Sequence, residues 1–179
     1  MKFQFCYHCG NRVKIENIEG TERATCTQCR RILYENPIPS VAVLAANAEG
    51  RVLMVKRRVE PGYGKWSLAG GFIEMGETAQ QAVIRELYEE TGLIGEHPGI
   101  FDVGTHLNGY YGDVLILAFE VTLRPGEISA GDDVQEAGFF SPAERPELVF
   151  RVHEDFLRRW EIEKGLQPAS GSESAEARI

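Results

Sequence analysis

A chain of 179 residues with 43% hydrophobic content is long enough for one sizeable core and a small appendage, and too short for two ordinary domains. It has no apolar run of membrane-spanning length, and its start, Met1-Lys2-Phe3-Gln4-Phe5-Cys6, lacks the apolar stretch and cleavage site of a signal peptide, so a cytoplasmic protein with no membrane partner is predicted. The net charge of -8 is uneven, with six Lys/Arg against four Asp/Glu in residues 1–36 and thirteen against twenty-three beyond; an acidic body disfavours nucleic acid as a general partner but is compatible with a phosphate site bridged by cations.

The four cysteines fall in the first 29 residues, as Cys6-x2-Cys9 and Cys26-x2-Cys29 separated by sixteen residues. Two close thiolate pairs at this spacing suit tetrahedral zinc held on two knuckles. Two disulfides are the other reading, one that requires an oxidising compartment. With sulfur in every position such a zinc ion would be structural, and its coordination would stand in for the core that so short a segment cannot build. His8 sits inside the first knuckle and reads as a surface residue. Arg12, Lys14, Arg23, Arg30 and Arg31 are candidates for nucleic-acid contact, weighed against a simple solvated face.

Tyr34-Glu35-Asn36-Pro37-Ile38-Pro39 reads as an extended linker, because each proline biases its predecessor away from helix, and it divides a ribbon at 1–37 from a larger domain at 38–167. Residues 41–46 and 52–56 suit strands, and Asn47-Ala48-Glu49-Gly50 between them is turn chemistry, which predicts a hairpin. A glycine-rich stretch, with Gly62, Gly64, Gly70 and Gly71, precedes a helix that starts at Thr78, where Gln81 completes a capping box, and stops at Gly92.

On that helix Glu86 and Glu90 project among Ala79, Ala82, Val83 and Leu87, on the side that should face the core. Unpaired carboxylates there are costly, so the pattern calls for a hard divalent cation, magnesium or manganese, with Glu89 in reach of the same place. A solvated helix with an Arg85–Glu89 i,i+4 pair remains the alternative on spacing alone.

Gly71, five residues, Glu77, seven residues, and then Arg85-Glu86-Leu87-Tyr88-Glu89-Glu90-Thr91-Gly92-Leu93 resembles the complete Nudix box, G-x5-E-x7-R-E-U-x-E-E-x-G-U with U bulky and apolar. A chance match in a chain of this length has a probability on the order of 10⁻⁷. The resemblance implies an α/β fold, an α/β/α sandwich around a mixed sheet preceded by the zinc ribbon. It also implies Glu86 and Glu90 as principal metal ligands, with Glu89 contributing, Glu77 assisting and the Gly70 carbonyl adding an oxygen. Arg85 would orient the glutamates by pairing with Glu77 or Glu89. Ala69 stands where many members have proline.

Residues 113–123 read as a strand apolar on both faces. Alternation places Glu120 on the face of Val114, Ile116 and Ala118, making it the first candidate outside the box for the carboxylate that takes a proton from attacking water; Glu136 is the second. Phe101, Tyr110 and Tyr111 are candidates for stacking on adenine or flavin, against ordinary packing. Lys56, Arg57 and Arg58 suit a terminal phosphate or a solvated strand end. His97, His106 and His153 show no metal-ligand spacing.

Ser141-Pro142-Ala143-Glu144 predicts a short helical turn, and residues 151–164 an amphipathic helix closed by Gly165 with Phe156, Leu157 and Trp160 as its core stripe. Residues 168–179 are too polar to bury and read as a disordered tail.

Family members with an N-terminal ribbon include NADH pyrophosphatases, which carry an S-Q-P-W-P-F-P-x-S array after the box. Residues 101–112 lack it, and the layout is closer to relatives that hydrolyse ADP-ribose or FAD. The expectation is therefore a magnesium-dependent pyrophosphohydrolase acting on a small dinucleotide, with structural zinc and, as family catalytic domains often pair, a homodimer. The rivals are an NADH/NAD-type pyrophosphatase and a non-catalytic nucleotide- or RNA-binding regulator.

Overall fold

The computed structural model describes residues 3–166, so the tail expected at 168–179 lies outside the described residues. The chain divides into two compact units, residues 1–37 and 38–179.

The first unit is a small antiparallel sheet, β1 (Val13–Ile18), β2 (Thr21–Cys26) and β3 (Ile32–Leu33), in that order. The β1–β2 turn is closed by Asn17, whose side-chain oxygen accepts the Gly20 N–H at 3.0 Å. Its buried core is Cys6, Ala24, Cys26 and Leu33. Two of these four are cysteines, so hydrophobic burial alone leaves the unit thinly supported.

The second unit is layered helix, sheet, helix. Strands β4 (Ile38–Leu44), β8 (Gly112–Leu123) and β7 (Gly95–Gly109) form one sheet, ordered β4-β8-β7, with β4 parallel and β7 antiparallel to β8. The other sheet is β6 (Trp66–Ser67), β5 (Val52–Arg57) and β9 (Val134–Phe140), all antiparallel. The period of two sorts each strand between two cores. Val41 and Val43 of β4, Leu53 and Val55 of β5 and Phe119 and Val121 of β8 pack with Ala82, Val83 and Leu87 of helix α1 (Ala79–Thr91). Ala42 and Leu44, Val52 and Met54, Ile116 and Ala118 pack instead with Phe156, Leu157 and Trp160 of helix α2 (Arg151–Glu163). No helix among the described residues is long and apolar enough to cross a membrane.

Helix α1 has the expected ends. Thr78 accepts the Gln81 N–H, the Gln81 side chain returns to the Thr78 N–H, and Gly92 closes the helix at φ 70° with its N–H on the Tyr88 carbonyl. The expected hairpin is only half present. The Asn47–Gly50 turn forms, with Asn47 N–H on the Arg51 carbonyl at 3.0 Å. Beyond a single bridge between Ala46 and Val52, however, the strands part into different sheets. Both are apolar on both faces, so each is satisfied by burial between the helices rather than by its sequence neighbour. Ser141–Glu144 is one hydrogen-bonded turn and not a helix, since Glu144 and Arg145 both donate to the Ser141 carbonyl and the pattern stops there.

Strand β7 is long and irregular, with register shifts between Glu96 and Gly99, Ile100 and Asp102, and His106 and Gly109. Gly104 within it is needed for a close approach: a Cβ there would lie 2.6 Å from Val152 and 2.8 Å from Phe156, where α2 packs onto the strand.

Candidate active site

The loop before α1 is fastened along β4. Val43 donates to the Ala69 carbonyl at 2.8 Å, Val41 to Gly71 at 2.9 Å, and Ile73 to Pro39 at 3.1 Å. Ala69 is fully buried, and its carbonyl serves the loop where the usual proline is missing. This lacing aims the Gly70 N–H at helix α1, where it donates to Glu90 Oε2 at 2.9 Å. Two glycines make the approach feasible. A Cβ on Gly70 would fall 2.1 Å from the Val41 carbonyl oxygen, and one on Gly71 would fall 2.5 Å from Glu86 Oε1.

Glu90 is 7% exposed, and its carboxyl is pushed up to about 8 by burial and by the neighbouring Glu86 charge, against the opposing pull of the Gly70 N–H. Glu86, its side chain 14% exposed, is likewise pushed up by burial. Arg85 answers part of this charge: its Nη1 donates to Glu86 Oε1 at 2.7 Å and Glu89 Oε2 at 3.0 Å, its Nε and Nη2 grip Glu77 at 3.1 and 2.7 Å, and Nη2 also reaches the Phe72 carbonyl. Glu77, held by Arg85 and by the Glu74 N–H, sits below the usual carboxylate range. The arginine thus spans Glu77, Glu86 and Glu89, more than the single partner the sequence suggested. Glu90 has no arginine.

Arg85, Glu86, Glu89 and Glu90 line one wall of a cavity of about 410 Å³, with Glu77 behind them outside its lining. Its Glu86, Glu89 and Glu90 carboxylates, beside the Gly70 backbone, are the hard oxygen set that magnesium or manganese takes, and burial pushes Glu90 and Glu86 up, a cost that a cation would offset. The donor set therefore fits a divalent ion.

Sequence and structure differ over the other residues. Glu120 is on the face alternation predicted, but that face belongs to α2, where Glu120 pairs with Lys164; it is outside the cavity. Glu136 pairs with Lys56 at 3.6 Å, also outside. Phe101 packs against the α2 core and does not line the cavity. Tyr110 and Tyr111 do line the cavity, edge to face with each other at 4.9 Å, and Tyr111 meets Phe72 at 5.3 Å.

The three consecutive basic residues separate. Lys56 faces out to Glu136, Arg58 ties its Nη1 to the Asp132 carbonyl, and Arg57 enters the cavity with its guanidinium over Phe150 and Nε on the Pro61 carbonyl. Asp132 and Asp133, which no motif or periodicity in the sequence singles out, also line the cavity. They are brought there by Gly131, whose N–H donates to the Glu90 carbonyl at 3.2 Å and where a Cβ would fall 2.5 Å from the Glu89 carbonyl oxygen.

In the first unit the four Sγ atoms lie within 4.8 Å of one another, with Cys6–Cys29 at 3.8 Å and Cys9–Cys26 at 3.4 Å. No pair is a disulfide. A tetrahedron with Zn–S bonds of about 2.3 Å has S–S edges of about 3.8 Å, so these thiols fit zinc. Asn11, through its backbone and then its side chain, holds the Cys9 thiol down at about 6, favouring the thiolate a metal needs. His8 is not in the cluster.

Residues 36–160 match the family model of the NUDIX domain. The chain is 37% identical over 130 residues to an ADP-ribose pyrophosphatase of Methanocaldococcus jannaschii, covering 70% of this chain and 76% of that one. It is 32% identical over 146 residues to the NAD-capped RNA hydrolase NudC of Pseudomonas aeruginosa, covering 81% of this chain; it spans about half the length of that relative, 50%. A crystal structure of a NUDIX hydrolase from Nitrosomonas europaea superposes with a TM-score of 0.76 at 32% identity, covering 93% of this chain and 96% of that one. The NUDIX domain of Shewanella oneidensis NrtR, solved with ADP ribose, has a TM-score of 0.63 at 17% identity, covers 73% of this chain and 90% of that one, and shares the fold alone. With its box intact from Gly71 to Leu93 and the fold laid around it, the chain belongs to the Nudix family, as a hydrolase acting on diphosphate bonds.

Proposed function

We propose that residues 38–167 are a magnesium- or manganese-dependent pyrophosphohydrolase of ADP linked to a second moiety, ADP-ribose or FAD, and that residues 1–37 are a structural zinc ribbon. The carrying observation is that Glu90, buried, and Glu86, half-buried, lie one helical turn apart against a cavity wall, with one arginine between three of the box acids and none on Glu90. The 37% identity to a relative named for ADP-ribose hydrolysis supports the substrate class.

Glu86 and Glu90 are the principal ligands, Glu89 contributes, and the Gly70 carbonyl adds an oxygen. Divalent ions held there would supply charge neutralisation for the diphosphate and for the oxygens on which charge develops. The Gly70 N–H fixes the Glu90 carboxylate; Arg85 and Glu77 hold Glu86 and Glu89 at their angles. Arg57, the cavity guanidinium with no carboxylate partner among the described residues, meets the second phosphate. Asp132 or Asp133 replaces Glu120 and Glu136 as the acceptor of the proton from attacking water. The water oxygen bonds to phosphorus, the anhydride P–O bond breaks, and ADP-ribose yields AMP and ribose 5-phosphate.

A second reading, hydrolysis of NAD-type diphosphates including NAD-capped RNA, is favoured by the 32% identity to NudC. One assay decides: ADP-ribose, FAD, NADH and capped RNA are incubated with the protein in magnesium and the products resolved by chromatography. Turnover fastest on ADP-ribose or FAD is expected. Preference for NADH or capped RNA establishes the second reading, and no turnover of any, with salt-sensitive RNA binding, leaves a regulator.

A further inference from the structure

The cavity has two chemically different ends. One holds Glu86, Glu89 and Glu90; the other is closed by His106 of β7 and by Phe150 and His153 at the start of α2. Phe150 is the hub of the second end, edge to face with His106 at 5.8 Å and with His153 at 5.2 Å. His153 is 8% exposed, and its Nδ1 is buried with no hydrogen-bond partner among the described residues. Nδ1 is itself closed off from the cavity, so the ring meets the cavity through its remaining edge, whose nitrogen also has no hydrogen-bond partner among the described residues and is free to pair with a ligand.

We propose that His153, with Phe150 and His106 as walls, receives the heterocyclic base of the nucleotide and hydrogen-bonds its edge. The proposal rests on the pyrophosphohydrolase reading for one element, the placement of the diphosphate at the opposite, acidic end. Arg57 connects the ends, since its charge is felt by both Glu90 and His153. With one phosphate at the carboxylates and the next at Arg57, the attached nucleoside reaches the aromatic end. Burial first, and then the charge of Arg57 and His106, hold the His153 imidazole neutral, with its pKa down at about 3, so the ring itself offers no charge to a phosphate. A neutral ring with one accessible nitrogen among aromatic walls matches the flat, uncharged, hydrogen-bonding edge of a purine. Tyr110 and Tyr111 line the same cavity and leave the rest of the nucleotide an aromatic border.

The test uses the full chain. In zinc-replete protein without added magnesium, the histidine ring signals are followed by NMR while AMP or ribose 5-phosphate, neither of which holds an anhydride to cut, is added. AMP is expected to move the His153 signals and ribose 5-phosphate to leave them in place; no movement with AMP, or equal movement with both, overturns the proposal. In the kinetic arm His153→Phe keeps ring volume and loses the hydrogen bond. It is expected to raise KM for ADP-ribose about tenfold at nearly unchanged kcat, and to shrink the preference for ADP-ribose over IDP-ribose by a similar factor, while His153→Gln restores part of both. Equal KM and an undiminished base preference in a folded His153→Phe protein overturn it. Absence of turnover in the unaltered protein, with the AMP response at His153 intact, defeats the hydrolase reading and upholds this one.

Discussion

Glu90 and Gly70, twenty residues apart in sequence, are joined by a 2.9 Å hydrogen bond from the glycine N–H to Oε2 of a carboxylate that is otherwise shut away from water. The bond fixes where the oxygens sit, and the burial makes their charge dependent on a cation. Glu90→Gln keeps the acceptor and the shape and removes the charge. We predict a loss of at least about 100-fold in kcat/KM, beyond what outer-shell changes at metal sites cost, with the melting temperature unchanged or raised. Retained activity would remove Glu90 from the ligand set.

Arg85 joins Glu77, Glu86 and Glu89 in one fork, and the geometry uses its planar guanidinium on two sides. Lysine presents a point charge and cannot reach all three. Arg85→Lys is therefore expected to lose activity about 10- to 100-fold, nearly as much as Arg85→Ala, and to raise the magnesium concentration giving half-maximal rate. If lysine rescues the rate, charge alone is what the position requires.

Much of this was legible because the box helix declares itself locally: Thr78, Gln81 and Gly92 mark its ends, and its period places Glu90 inside and Glu86 at the edge of the buried face. Strand faces were legible too, as Ile116 and Ala118 in the α2 core show, but not which helix covers a face, so alternation alone could not reveal that Glu120 pairs with Lys164 outside the cavity. Strand β7 was hidden by its bulges at Gly99 and Asp102 and by glycines whose reason is the nearness of α1 and α2. Asp133 and His153 reach the cavity only through tertiary contacts, a loop tied to the end of α1 and a helix packed across the opposite face, neither of which leaves a periodic trace.

Glu161 is fully buried in α2, and Arg145, with Nε 3.0 Å from its Oε1, is the cation that faces it; Arg145 also pairs with Glu154. This cluster holds the segment leading to Phe150 against α2. Removing one partner leaves a buried charge, so Arg145→Met should destabilise by about 3 kcal/mol or more, and adding Glu161→Leu should recover much of it. Urea unfolding of the single and double variants measures this; additive losses would show that the pair is not coupled.

The thiol tetrahedron of the first unit predicts metal-dependent folding of residues 3–37. A strong zinc chelator should release one zinc per chain and collapse the amide dispersion of this segment, including the paired strands Val13–Ile18 and Thr21–Cys26. Cys26→Ser should do the same without chelator. Unchanged spectra after metal loss would mean that Ala24 and Leu33 suffice as a core.

His153 also sets a pH dependence of stability. Its folded pKa of about 3 lies below the usual 6.5 because burial, and then the charge of Arg57 and His106, penalise the imidazolium. A depressed pKa means that the unfolded chain binds the proton first, so the contribution is complete above pH 6.5 and is lost as pH falls toward 3. At pH 5 the loss amounts to about 2 kcal/mol. Carboxylates titrate in part of the same window, so the comparison is with His153→Phe, which has no proton to take up: the stability difference between the two proteins, measured by urea unfolding, should shift by about 2 kcal/mol in favour of the variant between pH 7 and pH 5. Parallel stability curves would place the imidazole in contact with water in both states.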